Sequence, residues 1–238
     1  MLDSVRRNLI ADAPVGMTLS GGVDTSVILS LAKELGKSKG MHTYSLKMGQ
    51  SSFDESHYQR FMSDFGQTQH HEILVTPEMV EQYLVEHMAY VEEPLVNGAS
   101  IPSYILAKEA SKDVKVLLSG EGGDEVFNAY ETHGAFKWRK LYRSMTPEVL
   151  RHAIEWSAHQ LPVSCDKLSL EFKLKRFTKG AELDIPSSHF YWRHVFTDEQ
   201  RKVLLEKANF KKTSSWFEDV FNQSKFDHEL NKICLIDI

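Results

Sequence analysis

Hydrophobic positions in the first half of the chain alternate between two patterns. Four short segments have the pattern of strands, at residues 15–19, 41–46, 72–75 and 114–118, and the first of them is a short apolar run. Between these segments, apolar residues recur every three or four positions, as they do on one face of a helix. The helix predicted before the third strand has its apolar face at Tyr58, Phe61, Met62 and Phe65.

This alternation of strands and helices predicts an α/β fold. The sheet should be open and mostly parallel, with helices on both faces and right-handed crossovers. After Tyr130 the pattern changes to helical periods that are rich in aromatic residues. We therefore predict an α/β core over residues 1–130 and a helical region over residues 131–238 that packs on the core.

Composition excludes several classes of protein. Of 238 residues, 42% are hydrophobic and 26% are charged, which is close to the average of soluble globular proteins. No apolar run of about 18 residues could span a membrane, and the net charge of −5 argues against nucleic-acid binding. Cys165 and Cys234 stand far apart, which suits a reducing cytoplasm and excludes a zinc ribbon. His70 and His71 are adjacent and would point to opposite faces of a strand, so we do not expect a histidine metal site.

The strongest chemical signal follows the first predicted strand, in residues 19–26 with the sequence Leu-Ser-Gly-Gly-Val-Asp-Thr-Ser. Small residues allow a phosphate to approach the backbone, and the amides at a helix N-terminus attract anions. Ser20, Thr25 and Ser26 add hydroxyl donors, and Asp24 would suit Mg²⁺ bound to phosphate oxygens. No lysine follows the glycines, which excludes the P-loop of kinases and GTPases. The alternative is an ordinary glycine-rich turn in which Asp24 caps the helix.

A second small-residue motif follows the fourth predicted strand, in residues 119–125 with the sequence Ser-Gly-Glu-Gly-Gly-Asp-Glu. In a parallel sheet it would lie at the same edge as the first motif. Asp124 is then a candidate partner of Asp24 on Mg²⁺. Taken alone, the motif is more typical of a loop with solvated acids than of a binding site. The two motifs together favour a shared site for a nucleotide and a metal ion.

These motifs resemble those of a known family. The first is similar to the S-G-G-x-D-S loop of the ATP pyrophosphatases (the PP-loop superfamily), and the second to the S-G-E-G-G-D-E loop in the synthetase domain of glutamine-hydrolysing asparagine synthetases. Residues 11–16 also resemble that family's A-D-V-P-V-G segment, and Glu93-Pro94 with Ile101-Pro102 its E-P…I-P stretch. The resemblance implies an adenine nucleotide alpha hydrolase-like fold. Argininosuccinate synthetase shares the first motif but is not expected to have the second.

The resemblance implies an AMP-forming carbon–nitrogen ligase of asparagine biosynthesis. Aspartate and MgATP would give β-aspartyl-AMP and pyrophosphate, and ammonia would then displace AMP to give asparagine. ATP would be a co-substrate and Mg²⁺ a cofactor. Ammonia would come from a glutaminase domain or subunit, since the family's amidotransferase nucleophile is an N-terminal cysteine and this chain begins Met1-Leu2-Asp3. The resemblance implies a cytoplasmic enzyme without a membrane or nucleic-acid partner, and leaves the oligomeric state open.

The same resemblance implies roles for individual residues. Glu121 matches the catalytic residue tied to formation of the acyl-adenylate, and Asp24 and Asp124 match the magnesium ligands. The ATP-binding residues would be Leu19, Ser20, Gly21, Gly22, Asp24, Thr25, Ser26, Leu46, Ser119 and Gly120. Leu19 and Leu46 would contribute their backbone, since we expect their side chains to pack in the core.

Departures from the family pattern leave two alternatives open. Thr25 stands where Ser is usual, Asn97 replaces a frequent Asp, and Asn128-Ala129 replaces Gly-Gly. Asn97 and Asn128-Ala129 leave open one alternative, a related amidotransferase or β-lactam-type synthetase that uses another carboxylate. A catalytic lysine segment would follow Ile238 in the family, so we also expect a fragment of a longer enzyme. The second alternative is accordingly a nucleotide-binding fragment without turnover.

Overall fold

The computed structural model describes residues 1–49, 52, 54–92, 97–164, 166, 169–205 and 213–237. The chain forms two compact units, Met1–Glu121 and Gly122–Ile238. The division lies inside the second glycine-rich motif and earlier than the predicted boundary at residue 130. Glu93, Pro94 and Cys165 lie outside the described residues.

The first unit contains a four-stranded sheet in which every neighbouring pair of strands is parallel. The strands are β1 (Val15–Thr18), β2 (His42–Met48), β3 (Gln69–Val75) and β4 (Val116–Leu118). Their order across the sheet is β3-β2-β1-β4. The helices of this unit are α1 (Leu2–Asn8), α2 (Val23–Glu34), α3 (Ser56–Gly66), α4 (Pro77–Tyr90) and α5 (Ser100–Ala110). The predicted class, a parallel sheet surrounded by helices, is confirmed.

Helices cover both faces of this sheet. Met17 packs with residues of α1 and α2, including Leu29, in one apolar cluster. Tyr44 packs with Leu106 of α5 and with Val114 in another. Met17 pairs in register with Thr43, the neighbour of Tyr44 on β2, and adjacent strand residues point to opposite faces. The two clusters therefore lie on opposite sides of the sheet.

The boundaries of β3 and β4 differ from the prediction for local reasons. β4 begins at Val116 because the amide of Val114 still donates to Ala110 O, 3.0 Å away, at the end of α5. β3 begins at Gln69 because its parallel pairing with β2 continues through polar residues. The helix start predicted at Thr76 is confirmed, since its hydroxyl accepts the amide of Met79 at 3.3 Å.

The predicted apolar face of α3 is wrong at three of its four residues, whereas the fourth, Met62, is half-buried and packs against the cluster that contains Met17. Tyr58, Phe61 and Phe65 are exposed, at 56%, 68% and 41% of their surface. The buried face is polar or small instead and comprises Ser56, Gln59, Ser63 and Gly66. Small side chains let the helix approach the sheet closely, and their polar atoms find hydrogen-bond partners there. One example is the Ser63 hydroxyl, 2.8 Å from that of Thr68.

All regular secondary structure in the described residues of the second unit is helical, as predicted. Its helices are α6 (Gly123–Phe127), α7 (Glu131–Met145), α8 (Glu148–His159), α9 (Leu170–Ala181), α10 (Ile185–Arg193), α11 (Asp198–Leu204), α12 (Thr213–Gln223) and α13 (Glu229–Asp237). Among all described helices, none is both long enough and apolar enough to cross a bilayer.

Two departures from the expected sequence pattern have local explanations. Asn128 ends α6 with φ of 57°, and asparagine tolerates this left-handed conformation better than most residues. Ala129, where glycine is usual, does not have a positive φ. Asn97 begins the turn into α5, and its Oδ1 accepts the amide of Ala99 at 3.0 Å. An aspartate oxygen can accept the same amide in such a turn, so this substitution is locally conservative.

Candidate functional site

The order of the strands brings the first motif beside the start of the second. From β1 the chain continues to β2 and β3 on one side, and it later returns to place β4 on the other side of β1. The chain therefore moves in one direction across the sheet after β1 and in the opposite direction to reach β4, so the strand order reverses between these two strands. In open α/β sheets, ligands bind beyond the carboxyl ends of the strands at such a switch point. Residues 19–22 follow β1 there, and residues 119–121 follow β4.

The loop after β1 is held tightly between its neighbours. The amide of Leu19 donates to Tyr44 O at 2.8 Å, and its side chain is fully buried, as expected. Gly21 has φ of 82°, and a Cβ atom at this position would lie 2.9 Å from Cβ of Tyr58 on α3. Only glycine satisfies both constraints. The backbone of Gly21 therefore lies directly against the start of α3.

The hydroxyls of this loop are engaged with one another. Thr25 is buried, and its Oγ1 lies 3.1 Å from Oγ of Ser20 and 3.4 Å from Gly22 O, to which it donates. The exposed Ser20 also accepts the amide of Gly22 at 3.2 Å. Ser26 is half-buried in the first turn of α2. A phosphate at this loop would therefore compete with Ser20 for the Gly22 amide.

The loop after β4 packs on the first turn of α2. A Cβ atom on Gly120 would lie 3.1 Å from Cβ of Asp24 and 3.1 Å from Cγ2 of Thr25. Ser119 is exposed, and its Oγ accepts the amide of Glu121 at 3.4 Å. Glu121 is also exposed. The structure thus brings Gly120 into contact with the first motif and leaves the side chains of Ser119 and Glu121 accessible.

Asp24 fits a magnesium ligand by its surroundings. It is half-buried in the first turn of α2, and its carboxylate forms no ion pair or hydrogen bond within the described part of the chain. A carboxylate is the kind of oxygen donor that Mg²⁺ prefers. Asp124 belongs to the second unit, where it lies in the first turn of α6. Its pairing with Asp24 stays a prediction.

Gln59 is a site residue that the sequence did not reveal. It is buried on α3, and its Nε2 donates to two carbonyls, Ser20 O at 3.4 Å and Leu46 O at 3.3 Å. Its Oε1 is buried without a partner among the described residues. Gln59 therefore joins the first motif to the end of β2, where Leu46 is half-buried. In the sequence it looks like an ordinary polar position of a helix, because hydrogen bonds to distant carbonyls leave no local pattern.

Comparison with known proteins decides the family. The sequence model of the asparagine synthase family matches the chain over residues 1–238. The chain belongs to the asparagine synthase family. The predicted resemblance is thereby confirmed.

Curated relatives are similar over about half of the chain. A putative asparagine synthetase [glutamine-hydrolyzing] 2 of Methanocaldococcus jannaschii is 34% identical over 133 residues, which is 56% of this chain and 26% of the relative. Asparagine synthetase [glutamine-hydrolyzing] 1 of Bacillus subtilis is 37% identical over 131 residues, which is 55% of this chain and 20% of the relative. The matched segment is therefore about a quarter of the first relative's length and a fifth of the second's.

One solved structure covers most of the chain at low similarity. NMN synthetase from Francisella tularensis is 14% identical, with coverage of 99% of this chain and 87% of that one and a TM-score of 0.38. At that TM-score the match supports no inference about function.

Proposed function

We propose that this chain is the ATP-dependent synthetase part of a glutamine-hydrolysing asparagine synthetase. The observation that carries the proposal is the contact of Gly120 with Asp24 and Thr25, because it joins the two glycine-rich motifs at the switch point of the sheet. Membership of the asparagine synthase family supports the same reaction class.

In this proposal the loop at residues 20–26 holds the β and γ phosphates of ATP. The free amides at the start of α2 and the positive end of its dipole attract the phosphate oxygens. Ser119 and Gly120 contact the AMP part, and the backbone at Leu19 and Leu46 borders the nucleotide. Gln59 keeps the carbonyls of Ser20 and Leu46 at a fixed separation, so it is a positioning residue.

The first step forms an acyl-adenylate. An oxygen of the aspartate side-chain carboxylate attacks the α-phosphorus of ATP, and the bond from that phosphorus to the bridging oxygen breaks to release pyrophosphate. Glu121 is the proposed catalytic residue of this step, and its exposed side chain is accessible to substrates. Catalysis depends mainly on positioning and on charge neutralisation.

The second step uses ammonia. Its nitrogen attacks the acyl carbon, AMP leaves with the bonding electrons, and the excess proton passes to solvent, so that asparagine is formed. The ammonia is proposed to come from a glutaminase domain or subunit. Asp24 and Asp124 would hold Mg²⁺, which neutralises phosphate charge when it is bound. A cytoplasmic location is part of this proposal.

Pyrophosphate release tests the proposal directly. The 238-residue chain is expected to release pyrophosphate from MgATP when aspartate is added, and Glu121→Gln should reduce the rate at least about a hundredfold, in the range of acid–base and electrostatic groups. Glu148→Gln is the matched control, because Glu148 is exposed in the second unit. Pyrophosphate release with another carboxylate but not with aspartate would instead identify the chain as part of a related synthetase. Nucleotide binding without pyrophosphate release would identify it as a fragment that does not turn over.

A further inference from the structure

A second cluster of side chains lies at the other end of the sheet, near the amino ends of its strands. It comprises His42, the first residue of β2, His71 on β3, and Asp113 in the turn between α5 and β4. Each offers one donor atom, and the three atoms lie within 4.8 Å of one another. The nucleotide site lies at the carboxyl ends of the strands, so this cluster is not part of it.

The pairing of β2 with β3 creates the core of this cluster. Tyr44 pairs in register with His71, and His42 lies two residues before Tyr44 on the same face. Nδ1 of His42 is 3.0 Å from Nε2 of His71. The ring planes are nearly parallel, with 10° between the two imidazoles and 13° between His71 and Tyr44. The sheet therefore fixes both rings with their nitrogens facing each other.

Asp113 completes the donor set and is itself oriented. The Tyr44 hydroxyl donates to Oδ2 of Asp113 at 3.0 Å, and Tyr44 is 1% exposed. Hydrogen bonds of this kind orient the ligands of many metal sites. Asp113 is exposed, so its carboxylate can move toward the imidazoles and an ion can enter from solvent.

The distances suit a small tetrahedral ion. Two imidazole nitrogens that each lie about 2.05 Å from a tetrahedral Zn²⁺ are separated by about 3.3 Å. The observed 3.0 Å requires the rings to open by only a few tenths of an ångström. Two imidazoles and one carboxylate favour zinc and its transition-metal neighbours over Mg²⁺ and Ca²⁺, which prefer oxygen donors throughout.

We propose that His42, His71 and Asp113 form a binding site for one divalent transition-metal ion, with Zn²⁺ as the preferred ion and water as the fourth ligand. The ion would link β2, β3 and the turn before β4. Because metal bound only by the folded state stabilises that state, added Zn²⁺ should raise the melting temperature of the protein.

Cobalt(II) is the most informative probe, because four-coordinate Co²⁺ absorbs visible light much more strongly than six-coordinate Co²⁺. We would titrate the chelator-stripped chain with CoCl₂ in excess Mg²⁺, which occupies oxygen-rich sites. The expected result is an intense visible spectrum that saturates at one Co²⁺ per chain and is abolished by one equivalent of Zn²⁺. A thiolate charge-transfer band would assign the metal to a cysteine and overturn the proposal.

Single substitutions locate the site. His42→Gln and His71→Gln should each weaken Co²⁺ binding at least about a hundredfold, since one of three protein ligands is lost, and Asp113→Asn should weaken it less. His57→Gln is the matched control, because His57 is an exposed histidine on α3. An unchanged spectrum in both His42→Gln and His71→Gln would overturn the proposal.

A measurement on the unmodified chain avoids variants that fail to fold. Diethyl pyrocarbonate modifies accessible imidazoles, and peptide mass spectrometry can identify each modified residue. Zn²⁺ is expected to protect His42 and His71 at least tenfold and to leave His57 unaffected. Equal modification with and without saturating Zn²⁺ would show that the imidazoles share only a hydrogen bond, which contradicts the proposal.

Discussion

Thr25 and Gly120 show how single atoms shape the candidate site. The hydroxyl of Thr25 is engaged within its own loop, near Ser20 and Gly22. Its methyl carbon, Cγ2, instead lies 3.1 Å from the position that a Cβ atom at residue 120 would take. The sequence could predict the hydroxyl but not this contact, because the contact depends on the return of the chain through β4.

We predict that Gly120→Ala weakens MgATP binding about tenfold. The new methyl group would lie 3.1 Å from carbon atoms of both Asp24 and Thr25, and overpacking of this kind costs about 1–3 kcal/mol. Adding Thr25→Ser should recover part of the affinity, because it removes one of the two crowded atoms. Isothermal titration calorimetry measures both effects.

Gly98→Ala is the control for this pair, because a Cβ atom on Gly98 meets nothing within 4 Å. It should bind MgATP as the unsubstituted chain does. Failure of Thr25→Ser to restore any affinity would contradict the proposed packing.

At the scale of elements, the sequence predicts where strands and helices lie better than which faces they bury. Short strand-like segments located all four strands, and the Thr76 cap located the start of α4. The predicted face of α3 was wrong at three of its four residues because the residues that the helix buries are polar or small, and their hydrogen-bond partners are distant in sequence or lie beyond the helix. The cluster of His42 and His71 was missed for a similar reason, since only the register of β2 with β3 brings these residues together.

The prediction at the scale of elements concerns Gln59, because its side chain links α3 to the loop after β1 and to the last residues of β2. Gln59→Leu removes both hydrogen bonds to Ser20 O and Leu46 O, each of which contributes about 1 kcal/mol. We expect affinity for MgATP to fall about tenfold or more, as measured by calorimetry on protein shown to be folded. Gln59→Glu should be at least as damaging, because an ionised carboxylate has no proton to donate.

Gln82→Leu provides the comparison, since Gln82 is exposed on α4. Its affinity for MgATP should be unchanged. Equal affinity in Gln59→Leu and the unsubstituted chain would show that this link does not position the nucleotide loop.

At the scale of the whole molecule, unfolding of the second unit can be measured separately from unfolding of the first. All four tryptophans, Trp138, Trp156, Trp192 and Trp216, belong to the second unit. In that unit, hydrogen bonds and an ion pair surround the buried carboxylate of Asp237. Its carboxylate lies 2.8 Å from Nε2 of His133, 2.7 Å from Nε2 of His189 and 2.9 Å from Arg193. Tryptophan fluorescence therefore reports on the unit that contains this network.

We predict that Asp237→Ala destabilises the second unit by about 3–5 kcal/mol at pH 7, because it leaves a buried network without its acceptor. Burial alone would raise the pKa of Asp237, but hydrogen bonds from His189 and His133 hold that pKa below its ordinary value. The carboxylate therefore contributes its full stabilisation above the ordinary aspartate pKa of about 3.9 and loses it as the pH falls through the lower, folded-state pKa.

Urea unfolding followed by tryptophan fluorescence measures this effect, with the exposed Asp166→Ala as control. An unchanged unfolding midpoint at pH 7 would show that the network contributes nothing to stability.

Calorimetric titration of ATP, with and without Mg²⁺, tests the central claim most directly. We predict that the unsubstituted chain binds ATP far more tightly with Mg²⁺ than without it, and that Asp24→Asn loses most of this difference. Asp64→Asn, which changes an exposed aspartate on α3, is the control and should keep the difference. The account would be contradicted if ATP binding by Asp24→Asn depended on Mg²⁺ as strongly as binding by the unsubstituted chain, or if the unsubstituted chain did not bind ATP at all.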